Sequence, residues 1–552
     1  MKKRRRRAGT RSKPTSVVYV AILLFVSLDA NPFDIQVIQR MLEFCEDGAH
    51  WSRRLWQSGT MLIARELLEA GDSSNAVSAH ALHMLRDELL ERVTFDLGAS
   101  SPGDRASTRK LIGGKPEALV RPGYAWHLLE DWVRVTRGEY LSRWAKAVRG
   151  GVSLPSAETT ARLIAAHLMD EGLSATYIHR WLTYRIKYAP STYSLPGLCE
   201  ELHEELARGS RSFGILVPLS AHAPLPNPVP SGWLTPTEVR EWRKGNVPGS
   251  SPIRQHGAIL LDIEALDQYA AAEIARERIA TIRDRFRVGG RKEIKFAEDM
   301  WIADQSDAHA VDSAPRPVKV HAFERLGALW DHSVRPDLEA AIELMAPLER
   351  GPAPAAITGA WAAMESLLIG PGDEGKHLAA DRIALILSAS YLRAEWTLLA
   401  WSHADLAEDA LARAINDAET NYDRAALALE AVRAGKKLRL VNPSDKYALN
   451  RICCANMEPY GYLSQVRDAI KTSMHGLYRQ RNLVSHAGGT MGVAIRPTLG
   501  RVSPLVAAGM DRIAHVALTS SYSAIELAAF AAVQHEQLKG KSVEAALRLL
   551  EV

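Results

Sequence analysis

The chain is predicted to be mainly α, with two helical bodies joined by a small α/β segment. Three observations lead there. The 552 residues are 47% hydrophobic and 24% charged, the balance of an ordinary globular protein with several domains. Aromatics are only 7%, while Ala and Leu are plentiful and apolar residues recur at three- and four-residue spacing. Eight of the 27 prolines fall within residues 213–252, a density that disfavours helix interiors and implies extended backbone. This composition excludes wholesale disorder, collagen and a polytopic membrane protein. The four cysteines, Cys45, Cys199, Cys453 and Cys454, have no CxxC or zinc-ribbon spacing. They exclude a disulfide scaffold and fit a reducing, cytoplasmic compartment.

Residues 1–15 hold eight Lys and Arg and no acid, and read as a disordered basic tail. The net charge of +4 therefore hides a remainder of −4. That body lacks the overall basic footprint of a dedicated nucleic-acid binder, so any RNA contact must be a local patch. Ser16 to Leu28 is an apolar run of about 13 residues, short of the roughly 20 that span a bilayer. A buried strand or core segment accounts for it, and a signal peptide or membrane anchor is the other reading. No other stretch reads as long and apolar enough to span.

Residues 16–212 are assigned to a helical N-terminal domain. Ile35–Phe44 and Ala79–Leu90 are amphipathic, and Gly, Ser and Pro break the pattern near 98–104 and 150–156. Residues 213–325 are the middle segment. In it Thr235-Pro236-Thr237-Glu238 has a capping-box pattern that predicts one short helix. Ala258–Ile263 predicts a strand, Ala265 to about Arg287 a helix, and Pro317–Ala322 a second strand. Residues 326–552 are helical again. Ile357, Trp361, Met364 and Leu368 share one helix face, which Gly370-Pro371-Gly372 ends. Further helices are predicted near 378–393, within 395–434, over Ser464–His486, and two or three times after Ser503. No internal repeat has a fixed period.

The stretch that carries chemistry is Leu477-Tyr478-Arg479-Gln480-Arg481-Asn482-Leu483-Val484-Ser485-His486-Ala487-Gly488-Gly489. Val466, Ile470, Met474 and Leu477 form an apolar stripe before it, and the glycine pair is a natural helix stop. Asn482 and His486 are four apart and share a face. Arg481 starts about 140° from His486 on ideal geometry, but its long side chain can curl toward the same pocket. The helix C-terminus favours a protonated imidazole there. A base for the ribose 2′-hydroxyl, a cation for the phosphate and an acid for the leaving 5′-oxygen are what metal-free RNA cleavage needs. Histidine serves as base or acid, and arginine clamps phosphate with two N–H groups. On spacing alone, a capped helix end with a surface Arg and His is the better reading.

Context shifts that balance. Arg481-Asn482-Leu-Val-Ser-His486 resembles the Arg-x4–6-His signature of HEPN domains, including the polar residue after the Arg. The Trp361–Leu368 helix, its Gly/Pro loop and Leu378–Leu387 resemble the Apea-like HEPN family, over roughly residues 350–500. The resemblance implies a helical bundle that homodimerises through the HEPN domain and brings two motifs to one cleft. It implies a metal-independent endoribonuclease of toxin–antitoxin, abortive-infection or antiviral systems, with RNA as substrate and an antitoxin or regulatory protein as partner. Arg481 and His486 take the catalytic roles and Asn482 a supporting one. Glu365, as a group that orients Arg481, and Tyr478 are the other supporting candidates. No cofactor, metal or membrane is implied. Some HEPN domains only bind nucleotides or partners, so a non-catalytic scaffold is the alternative function.

Other motifs are set aside. Gly540-Lys541-Ser542 ends like a phosphate-binding loop, but His535 stands where the first glycine belongs. Gly249-Ser250 with Asp262 and Glu264 misses nucleotidyltransferase spacing. His80 and His83 with Glu88 read as ordinary helix residues rather than metal ligands. Trp51 and Trp56 flank Arg53 and Arg54, but five-residue spacing puts the rings on different faces. Core or rim packing is expected for both, and for Trp132 and Trp144.

Overall fold

The computed structural model describes residues 31–551 apart from 73–78, 115, 189–193, 224, 226–227, 250, 291–293, 313–315, 331–333 and 488–491. The basic tail and the apolar run to Leu28 lie outside the described residues. The chain is mainly helical and has three large cores.

The first core joins helices between residues 32 and 207. Helix Pro32–Cys45 starts where Asn31 accepts a hydrogen bond from the Phe33 amide at 3.0 Å, with Pro32 in the first turn. Tyr140 and Trp144 of helix Tyr124–Arg149 are fully buried. Trp56 is buried and Trp51 packs edge-on against Tyr391 at 6.0 Å, so neither offers a stacking platform.

The second core is an antiparallel sheet of five strands: β1 (Arg211–Pro218), β2 (Trp233–Leu234), β3 (Ala258–Ala265), β4 (Asp299–Ile302) and β5 (Ala308–Ala310). Their order is β2-β3-β1-β4-β5. Ile215 of β1 pairs with Leu261 on one side and Ile302 on the other. Helix Gln268–Val288 covers one face with Ala271, Ala275 and Ile279. Helix Pro236–Asn246 covers the other through Val239 against Leu216 and Ala258. Its capping box forms as the sequence predicts, with the Thr235 amide donating to Glu238 at 2.7 Å. β2 reaches β3 because Gly232 has φ +81°, and a Cβ there would meet the Leu260 carbonyl at 2.5 Å.

One prediction fails here, and another holds with a shifted start. Pro317–Ala322 is not a strand. Val318 and Val320 pack on the C-terminal core, and among the described residues no strand pairs with the segment. Alternating valines satisfy an apolar surface as well as a sheet, and only a paired edge makes a strand. Helix Gln268–Val288 begins three residues later than Ala265, because Asp267 caps it by accepting from the Tyr269 and Ala270 amides.

The third core runs from Ala322 to Leu550 and also takes in Leu55. Its axis is the helix Leu378–Ala404, wrapped by Ala353–Leu368, Asn421–Arg433, Pro459–Ala487, Ile495–Thr519 and Ala524–Gln537. Trp361, Tyr391 and Trp396 are buried in it. Contrary to the sequence reading, Leu378–Ala404 is long and apolar enough to cross a membrane, but 78% of its most apolar window is buried inside the protein. Core burial accounts for its composition.

The first and third bodies meet across buried charge. Arg40, Arg53 and Arg451 interleave with Glu43, Glu395 and Asp445, and Arg40 also reaches Glu158. Burial would raise Glu395, but Arg451 and Arg53 hold it down at about 2.

Histidines in the first body set its acid sensitivity. Burial pushes His167 down to about 3 and His50 to about 4. Each is neutral when folded and takes up its proton on unfolding. Their stabilisation is complete above the ordinary histidine range near 6.5 and falls as pH drops below it. Asp170, raised by burial to about 6, opposes this below pH 6. Glu273, raised by burial to about 7, opposes it as well, so the histidine contribution between pH 7 and pH 5 is read by difference. His167→Phe keeps a ring on Tyr140, which the imidazole stacks at 4.0 Å, and should lose less stability, or gain more, than the parent between pH 7 and pH 5. Thermal melts of the two proteins at several pH values check this; identical slopes would contradict it.

Candidate active site

The helix Pro459–Ala487 presents the Arg-Asn-x-x-x-His motif in its last two turns. Leu463, Val466, Ile470, Met474 and Leu477 are all buried, which fixes its rotation against the central helix. The remaining faces carry the polar groups.

One face looks toward the Ala353–Leu368 helix. The Arg481 guanidinium donates through Nη1 to Asn482 Oδ1 at 3.0 Å, and its Nη2 lies 3.7 Å from Glu365 Oε2. The Arg481 side chain is 23% exposed, so solvent and solutes reach it. Glu365 is held in turn by the Trp361 indole N–H at 2.8 Å and by the Lys376 ammonium. The Trp361 ring packs on Tyr478 with centroids 4.8 Å apart. Four residues singled out in the sequence, Glu365, Tyr478, Arg481 and Asn482, thus come together. His486 occupies the last turn of the same helix, and its side chain lies outside the described residues.

Further back along the helix is a second polar cluster that the sequence reading missed. Lys471 Nζ and His475 Nε2 reach the two oxygens of Asp381 at 3.1 and 2.9 Å. Burial would raise Asp381, but these hydrogen bonds hold it below the usual carboxylate range. The His377 ring lies 6.2 Å from that of His475. Helical spacing could have shown it: Lys471, His475, Asn482 and His486 fall within about 60° on one helix face.

The opposite face is closed by the first body. Arg479 is buried and pairs with Glu66 at 3.0 Å and Glu88 at 3.1 Å. Burial would lower the Arg479 guanidinium, but the two carboxylates raise it above its ordinary value. Gln480 donates to Glu66 at 2.8 Å. Past the helix end, the Val493 amide donates to Glu69 at 3.1 Å. Glu88 is therefore an ion-pair partner.

The arrangement can bind an anion at Arg481, whose orientation is set by one amide oxygen and one carboxylate. Two arginine donors face described acceptors, and the fork has five. Among the described residues no group of three or more His, Cys, Asp or Glu side chains could hold a metal ion. No protein-family model matches the chain, nor does any curated protein or solved structure.

Proposed function

We propose that the C-terminal bundle is a HEPN-type endoribonuclease that needs no metal and works as a homodimer in a toxin or antiphage role in the cytoplasm. The observation that carries this reading is the seating of Arg481. It lies two turns from a helix end that also bears His486, is steered by Asn482 and Glu365, and remains reachable from solvent. In this reading His486 moves the proton of the 2′-hydroxyl or of the leaving oxygen, and Arg481 neutralises the charge growing on the phosphate. Glu365 and Asn482 position the guanidinium, and Tyr478 with Trp361 backs Glu365.

The test is incubation of total cellular RNA with the purified chain in EDTA, followed by analysis of product ends. Attack by the neighbouring ribose hydroxyl leaves 2′,3′-cyclic phosphate and 5′-hydroxyl ends. Products with 5′-phosphate, or cleavage that EDTA abolishes, would overturn the mechanism. The alternative, a non-catalytic HEPN scaffold, draws on the acids that surround the motif: Glu66, Glu69 and Glu88 on one side and Glu365 on the other. Growth arrest on expression, relieved by His486→Ala, separates the two readings where purified protein alone is silent.

A further inference from the structure

The helix Ala175–Tyr188 in the first body has four aromatic residues on one face. Tyr177, Trp181, Tyr184 and Tyr188 follow one another at four, three and four residues, within about 60° of arc. The inner two pack on the core, as an amphipathic helix requires. The outer two do not: Tyr184 is 62% exposed and Tyr188 60%. Their rings contact each other with centroids 4.6 Å apart and planes tilted by 46°. The helix core does not explain two large aromatic rings placed this way in water.

The helix itself carries charge of one sign. The helix carries Arg180, Arg185 and Lys187 and no acid. Lys187 Nζ lies over the Tyr188 ring at 4.9 Å, and Arg185 over Trp181 at 5.3 Å. The adjacent helix Leu195–Ala207 has four glutamates: Arg149 holds Glu200, Arg185 holds Glu201 at 2.7 Å, Arg208 holds Glu205 at 2.8 Å, and Glu204 is exposed. Arg180 and Lys187 lie over aromatic rings, with no ion pair among the described residues. Exposed aromatic rings accompanied by such cations match a partner with flat rings on a polyanionic backbone.

We infer that this helix is a stacking surface for single-stranded RNA, with Tyr184 and Tyr188 receiving unpaired bases and Arg180 and Lys187 facing the backbone. A duplex hides its base faces and does not fit such a surface. The choice of RNA over single-stranded DNA rests on the cleavage site proposed above; the stacking surface itself does not.

The test uses the full chain carrying His486→Ala, so that RNA survives, and measures binding of a labelled oligouridylate by fluorescence anisotropy. Adding Tyr184→Ala and Tyr188→Ala should raise Kd about 10²-fold, roughly tenfold for each lost stacking contact. Tyr184→Phe with Tyr188→Phe keeps the rings and should bind like the parent. Lys187→Glu should weaken binding and reduce its salt dependence. An unchanged Kd in the alanine pair overturns the inference. So does a parent that binds an RNA duplex as tightly as the single strand, or that binds no oligouridylate. Failure of the cleavage reading looks different: the chain with His486 intact would bind the strand through these tyrosines and leave it whole.

Discussion

His486→Ala is expected to reduce RNA cleavage by about 10²–10⁴-fold, the cost of removing one acid or base from a proton-transfer step. Arg481→Lys should cost roughly 10²–10³-fold, because an ammonium keeps the charge but not the planar fork that spans two phosphate oxygens. Lysine would also lose the split engagement seen here, with Nη1 on Asn482 and Nη2 toward Glu365. Glu365→Gln is the informative third variant. The amide oxygen still accepts from Trp361, but the charge that faces Arg481 and Lys376 is gone. A smaller loss is expected, with the chain still folded. None of these residues belongs to the buried stripe Leu463–Leu477, so melting temperatures should stay close to that of the parent. Single-turnover rates on one RNA, with a thermal melt of each variant, check the set. Full activity in His486→Ala would remove that residue from the mechanism.

How far the sequence could foresee this site depends on the range of each interaction. Helix periodicity is local, so the buried stripe from Val466 to Leu477 and the end of the helix before Gly488 were legible. The Thr235–Glu238 capping box was legible for the same reason, since both partners lie within one turn. Strand β1 was not, because Arg211–Pro218 runs into the proline-rich stretch and its pairing with β3 is decided some 45 residues later. The pairing of Arg481 with Glu365 crosses 116 residues and was only a suggestion from the motif. Arg479 and Gln480, beside Arg481 in the sequence, carry no such signal. Nothing within the helix distinguishes the arginine that faces solvent from the one buried against Glu66. That distinction is made by the first body, whose partner residues lie some 400 positions away.

That burial gives the largest stability effect expected in the molecule. Glu66 is 5% exposed and accepts from Arg479 Nε at 3.0 Å and from Gln480 Nε2 at 2.8 Å. Glu66→Leu removes the carboxylate and leaves a buried guanidinium with Glu88 as its remaining partner at 3.1 Å. It also takes from the Gln480 amide, whose Oε1 has no partner among the described residues, the acceptor of its N–H. Breaking one side of a buried ion pair costs about 3–5 kcal/mol, a large share of the roughly 5–15 kcal/mol that holds a typical domain folded. Glu66→Gln keeps an acceptor and should cost less. The paired change Glu66→Leu with Arg479→Met replaces that ion pair with apolar volume and should recover part of the loss, the rest persisting because Glu88 then loses its guanidinium partner. Denaturant unfolding of the three variants measures this directly. Equal, small losses in all of them would mean that the first body is held to the motif helix by its apolar contacts and by the separate Arg40–Arg53–Arg451 cluster. A large loss in Glu66→Leu that the double variant partly reverses would place the clamp at Arg479, two residues from the guanidinium proposed to meet the phosphate.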